Sequence, residues 1–391
     1  MRALSLSLLL AAAPVLAQGP RLPQLTLDYP AMADKIVERL ALLPGEKVLL
    51  LCQPGKFSEI VPALRYSLAK AGAVDLGCLE VLQEPVPLAW DQGVLAKSAA
   101  AAQAMLRTAL REVDAAVMLP GAAPRHPAYA AIQDLLRQGG ARRTVHFHWD
   151  GGGAPSAAAL PGQPVPAQPI IDATYQRALL HTDYVGIAAV ERQFAQALHA
   201  GEVHVTSVLG TDLKFRTGDR PVNLQDGNAS AARARTGVVL VDREIELPCG
   251  VLRVAPLEES VEGVIAFPPS QWSGRPVEGL RLRFAKGRVV EVSASSGKDA
   301  VLAELKEGGP GSDMFREFAL GFNPELAVPE RGPWIAYYGY GAGVVRLSLG
   351  DNSELGGKVA SGHVRWNFFS DLSVTVADTP WVKDGKLIVR K

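Results

Sequence analysis

The first half of the chain alternates between amphipathic segments and short, wholly apolar ones. Apolar residues three or four positions apart predict helices, and the apolar runs between them predict buried strands. The predicted elements are, in order, the helix YPAMADKIVERLALL, the strand EKVLLLCQ, the helix FSEIVPALRYSLAKAG, the strand VDLGCLEV, the helix LAKSAAAAQAMLRTALREV, the strand DAAVMLPG, the helix PAYAAIQDLLRQGG and the strand RRTVHFHW. This alternation is typical of a parallel sheet covered on both faces. It predicts a doubly wound α/β domain over residues 24–150.

The pattern changes after residue 150. Residues 151–169 are rich in Gly, Pro and Ala and nearly uncharged, which predicts a linker or surface loop. Helical segments from ATYQRALLHTDY onward then give way to β-rich runs, and GSDMFREFALG predicts a further helix with Ser312 or Asp313 as its N-cap. Residues 170–391 are therefore predicted to form an α+β domain with mostly antiparallel strands.

The N-terminus has the pattern of a secretory signal peptide. Arg2 precedes an apolar run, and the small residue Ala17 ends the segment VLA. The run is too short to span a bilayer comfortably, which disfavours an uncleaved membrane anchor. We predict a signal peptide over residues 1–17, an exported mature protein that is periplasmic or extracellular, and no membrane association after cleavage.

The overall charge and the cysteines narrow the function further. Forty Lys and Arg residues balance forty Asp and Glu residues, so a basic nucleic-acid surface is not expected.

Cys52 and Cys78 lie in apolar strand-like runs and are predicted to be inert buried thiols. An odd cysteine count means that at least one stays free or pairs between chains. Cys249 has no evident histidine partner for nucleophilic chemistry.

Two histidines near the end of the first domain are candidates for metal binding. In HFHWD, residues His146, His148 and Asp150 share one face of the predicted strand, a spacing found in some zinc sites. The alternative is a strand end whose histidines contact the backbone or the other domain. No GxGxxG, Walker A or GxSxG motif follows any predicted strand.

A second candidate lies near the C-terminus, in SGHVRWNFFSDLS. This segment predicts a strand with His363, Arg365 and Asn367 on one face. Val364 and Trp366 fall on the other face.

Five segments of the second half resemble successive motifs of the thermophilic-type leucyl aminopeptidases, the aminopeptidase T and aminopeptidase S family. They are LGTDLKFRTGDRPVNLQDG, ELPCGVLRVAPLEESVEGVI, FREFALGFNP, GYGAGVVRLSLGDN and SGHVRWNFFSDLS. The resemblance covers nearly all of the second domain. It implies the family fold, a homodimer, and a dinuclear metal site with Glu, His, Tyr and Asp ligands.

Most of the implied ligand positions carry residues that cannot bind a metal. Glu317 is the one ligand retained, and arginine has no lone pair to donate. The replacements at the other positions are Val251, Arg346, Ser353, Arg365 and Asn367. We therefore expect no metal and no cofactor.

The replacements predict a pocket in which Arg346 and Arg365 stand where the metals stood and pair with Glu317. Asn367 and His363 complete the predicted binding residues. An exported relative that has lost peptidase activity and binds a small carboxylate or a peptide is the favoured function. The alternatives are an aminopeptidase with relocated ligands (His363, Glu317 and Asp371) and a metal-independent enzyme using the same cleft.

Overall fold

The structure is a computed structural model that describes residues 26–55, 57–82, 86–87, 89–149, 157–159 and 164–388. The predicted signal peptide, Asp150 and most of the predicted linker lie outside these residues. Within the described part of the chain, no helix is both long enough and apolar enough to cross a membrane.

The helices of the described residues follow the amphipathic segments closely. They are α1 (Tyr29–Leu40), α2 (Ile60–Lys70), α3 (Gln92–Ala109), α4 (Pro127–Leu136), α5 (Gln168–His181), α6 (Tyr184–Ala200), α7 (Ala231–Thr236) and α8 (Lys298–Glu307). Three of them begin after an aspartate whose side chain accepts a hydrogen bond from a backbone N–H of the first turn, namely α1 after Asp28, α3 after Asp91 and α6 after Asp183. Short 3₁₀ turns cover Leu240–Asp242, Glu258–Ser260, Pro324–Leu326, Tyr337–Gly339 and Ser353–Leu355.

The strands fall into one parallel sheet, two antiparallel sheets and two small ladders. They are β1 (Lys47–Cys52), β2 (Val74–Glu80), β3 (Ala115–Met118), β4 (Arg143–Phe147), β5 (Ala157–Ala159), β6 (Glu202–Thr206), β7 (Asp212–Arg216), β8 (Val222–Gln225), β9 (Glu244–Leu247), β10 (Val251–Val254), β11 (Glu262–Ala266), β12 (Ser270–Trp272), β13 (Arg275–Val277), β14 (Arg281–Ala285), β15 (Arg288–Ser293), β16 (Phe315–Gly321), β17 (Trp334–Ala336), β18 (Val345–Gly350), β19 (Val364–Arg365), β20 (Phe368–Phe369), β21 (Ser373–Val376), β22 (Thr379–Lys383) and β23 (Lys386–Leu387).

The first sheet is parallel and covered on both faces, as predicted. Its strand order is β2-β1-β3-β4-β9, and every neighbouring pair is parallel. Val48 and Leu50 of β1 pack with α1, α2 and α5, while Leu49 and Leu51 pack with α4 on the opposite face. Burial on both sides explains why β1 is an unbroken apolar run in the sequence.

The fifth strand of this sheet comes from the second half of the chain. Strand β9 pairs with β4, and α5 packs into the same core, although β9 and most of α5 lie within the range predicted for the second domain. Strand β5, inside the predicted linker, pairs with β17. The predicted division at residues 150 and 170 therefore does not separate the two sheet systems, because the chain returns to the first sheet after residue 243.

The second half is α+β and mostly antiparallel, as predicted. One sheet has the order β19-β18-β16-β10-β8, with β20 also pairing with β18. The other has the order β15-β14-β11-β7-β6-β21-β22-β23. Apolar side chains from both sheets, such as Leu252, Phe318, Leu213 and Val374, form one core between them.

The helix predicted over GSDMFREFALG is wrong. The segment forms β16, a central strand whose seven residues are all buried, and the helix α8 lies earlier, at Lys298–Glu307. A strand buried on both faces does not show the polar and apolar alternation of a surface strand. The short run was therefore ambiguous between helix and strand.

The prediction of two inert thiols is also wrong for Cys52 and Cys78. These residues sit on the neighbouring strands β1 and β2 and are joined in a disulfide, with Cα atoms 6.6 Å apart. Cys249 is free and buried.

Candidate functional site

A cleft of about 560 Å³ lies between the two sheet systems. One wall is formed at the carboxyl ends of the parallel strands, where Gln53 follows β1 and Gly121 lies beyond β3. Open parallel sheets bind ligands at this edge. The opposite wall is the polar face of the antiparallel strands β10, β16 and β18. The cleft is therefore the candidate functional site.

Strand register brings charged residues together on that polar face. Arg253 of β10 lies opposite Ala319 of β16, which in turn lies opposite Arg346 of β18. Glu317 lies opposite Ser348. Because residues directly opposite one another in an antiparallel pair point to the same face, these side chains converge.

Glu317 is the centre of this cluster and is fully buried. Its carboxylate accepts hydrogen bonds from Arg253 Nε and Nη2 at 3.1 and 3.0 Å, and Arg346 Nε lies 2.9 Å from its other oxygen. Ser348 Oγ donates to that second oxygen at 3.2 Å. Two guanidiniums and a hydroxyl therefore surround the carboxylate.

A β-bulge adds a third arginine. Phe315 pairs with Leu349 and Glu317 with Ser348, so Arg316 is an extra residue in the strand. Bulges redirect side chains, and Arg316 joins the polar face, where it pairs with Glu354. Arg253 also pairs with Glu354, at 2.7 Å.

Electrostatics keep these carboxylates ionised. Burial alone raises the pKa of Glu317, but Arg253, Arg346 and Arg316 outweigh burial and hold the pKa well below its ordinary value. Burial likewise opposes ionisation of Glu354, and Arg253 and Arg316 lower its pKa. The cluster is consequently a network of charged pairs.

The other wall carries two imidazoles and two carboxyl groups. His146 and His148 lie at the end of β4, and Glu244 and Glu246 lie on the adjacent β9. His146 Nε2 is 3.8 Å from Glu244 and His148 Nε2 is 3.7 Å from Glu246. The hydroxyl of Tyr340 donates to Glu246 and so links this wall to the second sheet.

Burial determines the protonation of this wall. It lowers the pKa of His146 to about 3, with His148 adding to the effect, and it lowers the pKa of His148 to about 3 as well. Burial raises the pKa of Glu244 to about 8, although Gln133 donates a hydrogen bond to it at 2.8 Å. Both imidazoles are therefore neutral and Glu244 is mostly protonated at neutral pH.

The structure brings together only two of the five residues predicted to bind a ligand. The predicted pairing of Arg346 with Glu317 is confirmed. The predicted pairing of Arg365 with Glu317 is wrong, because Arg365 pairs with Glu304 and lies 3.4 Å above the ring of Trp272. Arg253 takes the second position instead.

The register of strand β19 explains why Arg365 does not reach Glu317. Arg365 lies opposite Leu349, whose side chain belongs to the apolar face of the sheet. Asn367 shares that side, accepting from Arg365 Nε at 3.0 Å and donating to the Leu347 carbonyl at 3.0 Å. The ring of His363 lies against Gly308. The predicted alternation of side chains between two faces is right, but the face that lines the cleft is the one with Val364 and Trp366.

The residues present do not fit the metal centre that the resemblance implies. Val251 is buried in apolar core, Arg253 donates hydrogen bonds to the Glu317 carboxylate, and Arg346 forms an ion pair with it. Among the described residues, no three His, Cys, Asp or Glu side chains are placed to hold a metal ion, so His363, Glu317 and Asp371 do not form a relocated site. For the HFHWD segment, Asp150 lies outside the described residues, and His146 contacts the Tyr129 hydroxyl at 2.9 Å.

Sequence reasoning missed several residues of the cleft. Arg253 follows Val251 by two positions on one strand, so alternation could have placed it beside a lost ligand. Arg316 reaches the cleft only through the bulge, which no local pattern indicates. The other missed residues are Glu244, Glu246, Glu354, Tyr338 and Tyr340.

The family model of the thermophilic metalloproteases (M29) matches residues 188–327. This match confirms, for residues 188–327, the resemblance predicted from the motifs.

Two solved structures share the fold over nearly the whole chain. Wild-type AmpT from Thermus thermophilus is 20% identical with a TM-score of 0.62, covering 92% of this chain and 100% of that one. The 2,5-dihydroxypyridine dioxygenase from Pseudomonas putida KT2440 is 16% identical with a TM-score of 0.59, covering 93% and 97%. No curated protein matches the chain.

Proposed function

We propose that this chain is an exported relative of the M29 metalloproteases that binds a small carboxylate in the cleft and has lost metal-dependent peptidase activity. The loss is supported by the Glu317 cluster, in which arginines contact the one ligand that the resemblance retains. Arginine stays protonated and cannot coordinate a metal.

The charges around the cleft favour an anion. Four guanidiniums, from Arg125, Arg253, Arg316 and Arg346, line it. Arg253, Arg316 and Arg346 form one cluster on the wall built from β10, β16 and β18. A ligand carboxylate in the cleft would lie beside this cluster of guanidinium donors.

The observation that carries the proposal is an unsatisfied donor in the cleft wall. Arg316 is 2% exposed, and its Nε, which lies 3.9 Å from a Glu317 oxygen, has no hydrogen-bond partner in the described part of the chain. Buried donors are nearly always hydrogen-bonded. A carboxylate is well suited to arginine donors because its two oxygens match the spacing of the guanidinium N–H groups.

Export remains part of the proposal. The signal-peptide pattern of residues 1–17 supports it. The Cys52–Cys78 disulfide also supports it, because disulfides persist mainly in oxidising compartments outside the cytosol. The predicted homodimer rests on the family resemblance alone.

Calorimetric titration tests the binding function. Acetate, benzoate, cyclohexanecarboxylate and the dipeptide Gly-Leu would each be compared with the corresponding neutral amide. We expect saturable binding of at least one acid and much weaker binding of its amide. Absence of binding by every acid, or equal binding of acid and amide, would overturn the proposal.

A variant pair localises the binding. Arg316→Gln removes a buried charged donor, which weakens the interaction by about 1.5–3 kcal/mol and hence the affinity by roughly 10–100-fold. Arg283→Gln removes an exposed arginine paired with Glu291 on β15 and serves as the control. Equal loss in both variants would show that the cleft is not the binding site.

A metal-independent enzyme is the second candidate, favoured by one observation. Glu244 and Glu246 lie two residues apart on β9, yet Glu244 is held mostly protonated while Glu246 accepts the Tyr340 hydroxyl. Carboxyl pairs in such different environments can serve as acid and base. Turnover of aminoacyl-nitroanilides that survives chelation and disappears in Glu244→Gln would favour this candidate. Cobalt-dependent turnover would contradict the loss of metallopeptidase activity.

A further inference from the structure

Three aromatic side chains form a partly exposed wall of the cleft. They are His148, Tyr338 and Trp366, and each is intermediate in burial and lines the cavity. The ring centroids of Tyr338 and Trp366 are 4.7 Å apart, and those of Tyr338 and His148 are 6.1 Å apart. We call these three residues the aromatic wall. Tyr338 is its middle member.

Tyr338 is held in an unusual backbone conformation. Its φ and ψ are 41° and 20°, in the left-handed region that bulky residues rarely adopt. Strain of this kind persists only where surrounding contacts enforce it, and it clusters at ligand-binding sites. Here the conformation places the ring between the imidazole of one sheet system and the indole of the other.

A hydrogen bond couples this strained residue to the arginine cluster. Arg346 Nη1 donates to the Tyr338 carbonyl at 3.0 Å, and the same guanidinium lies 2.9 Å from Glu317 through its Nε. One side chain therefore positions the aromatic wall and contributes to the charged wall. The two walls belong to one site.

The aromatic side chains and the volume of the cleft favour a ligand with a flat ring over one with a bulky aliphatic group. Aromatic faces attract ring edges and offset rings, which adds to simple burial of apolar area. The volume of about 560 Å³ is within the range of small-molecule sites and accommodates one or two rings. The neutral imidazole of His148 adds a third planar surface.

We propose that the ligand is a planar aromatic carboxylate, whose acid group contacts the arginine cluster while its ring packs against Tyr338 and Trp366. This inference rests on the proposed carboxylate binding and deepens it by naming the ligand class. A saturated acid of equal size would keep the charge interaction and lose the ring contacts.

Benzoate and cyclohexanecarboxylate provide a matched pair for the test. Both carry one carboxylate on a six-membered ring, and only benzoate is planar. Calorimetry should show that benzoate binds the wild-type protein roughly three- to tenfold more tightly, the factor expected for one or two aromatic contacts. Benzoate binding should also change the fluorescence of the protein through Trp366.

Substitutions in the aromatic wall test whether its side chains cause the preference for benzoate over cyclohexanecarboxylate. Tyr338→Leu and, independently, Trp366→Leu should bring the two affinities together, whereas Tyr338→Phe should preserve the difference. Tyr66→Leu, an exposed change on α2, is the control and should behave as wild type. Thermal denaturation of each variant verifies folding, and the partly exposed Trp366 provides the second route if Tyr338→Leu fails to fold.

The outcomes separate this inference from the binding function. Equal affinities in the wild type would overturn the aromatic preference and leave carboxylate binding intact. A preference that persists in both leucine variants would also overturn it. If neither acid binds and the other carboxylates also fail, the proposed function falls together with the inference.

Discussion

Replacing Glu317 by glutamine tests the charged cluster most sharply. The substitution keeps the shape of the side chain and removes the charge that Arg253 and Arg346 share. Glu317 is 0% exposed, so water cannot screen the arginines that remain. Breaking a buried ion pair by removing one partner costs about 3–5 kcal/mol. We expect the free energy of unfolding to fall by that amount.

Urea denaturation followed by tryptophan fluorescence measures this change. Glu291→Gln is the matched control, because Glu291 forms an exposed pair with Arg283 and should cost at most about 1 kcal/mol. A loss below about 1 kcal/mol for Glu317→Gln would show that the carboxylate does not stabilise the buried arginines.

The pH dependence of stability gives an independent check on the same residue. The folded-state pKa of Glu317 lies below the unfolded value of 4.5, so its stabilisation is complete above pH 4.5 and is lost as pH falls further. Wild-type stability should therefore decline more steeply below pH 4.5 than that of Glu317→Gln. If the stability of the two proteins declined equally below pH 4.5, this would contradict the lowered pKa of Glu317.

Three further predictions follow from other residues. The pKa of Glu244 is raised from 4.5 to about 8, so this residue binds more protons in the folded state than in the unfolded state. Wild-type stability, measured by urea titration, should therefore fall as pH rises from 4.5 to 8, and Glu244→Gln should flatten this decline. Arg365→Lys should leave benzoate affinity unchanged in calorimetry, because Arg365 faces away from the cleft; a tenfold loss would contradict that placement. Replacing Cys52 and Cys78 together by serine should lower the free energy of unfolding by about 3.5 kcal/mol in urea denaturation, from the entropy of the 26-residue loop. An unchanged midpoint would show that the disulfide does not stabilise the fold.

The sequence predicts the first sheet well because its elements are local and strongly patterned. Each apolar run from β1 to β4 is bounded by an amphipathic helix, so periodicity identifies both. Strand β9 could not be assigned to this sheet, because its pairing with β4 joins residues about a hundred positions apart. Strand β16 was misassigned because burial on both faces removes the alternation that marks a strand.

The sequence predicted some of the residues that form the site, but it predicted the placement of their side chains less well. Motif order led to Glu317 and Arg346, which do pair. The role of Arg365 failed because the predicted strand is two short strands, β19 and β20, whose register turns its side chain to the apolar face. Arg316 reaches the cleft through a bulge, and bulges depend on pairing that local sequence does not specify.

A crystal structure of the protein grown with both zinc and benzoate shows whether the cleft binds a carboxylate and no metal. We expect benzoate in the cleft with its carboxylate within hydrogen-bond distance of Arg316 or Arg346, and guanidiniums around Glu317. Anomalous scattering should show no zinc at the Glu317 carboxylate. Zinc about 2.0–2.2 Å from a Glu317 oxygen, with the arginines displaced, would contradict the proposed loss of the metal site.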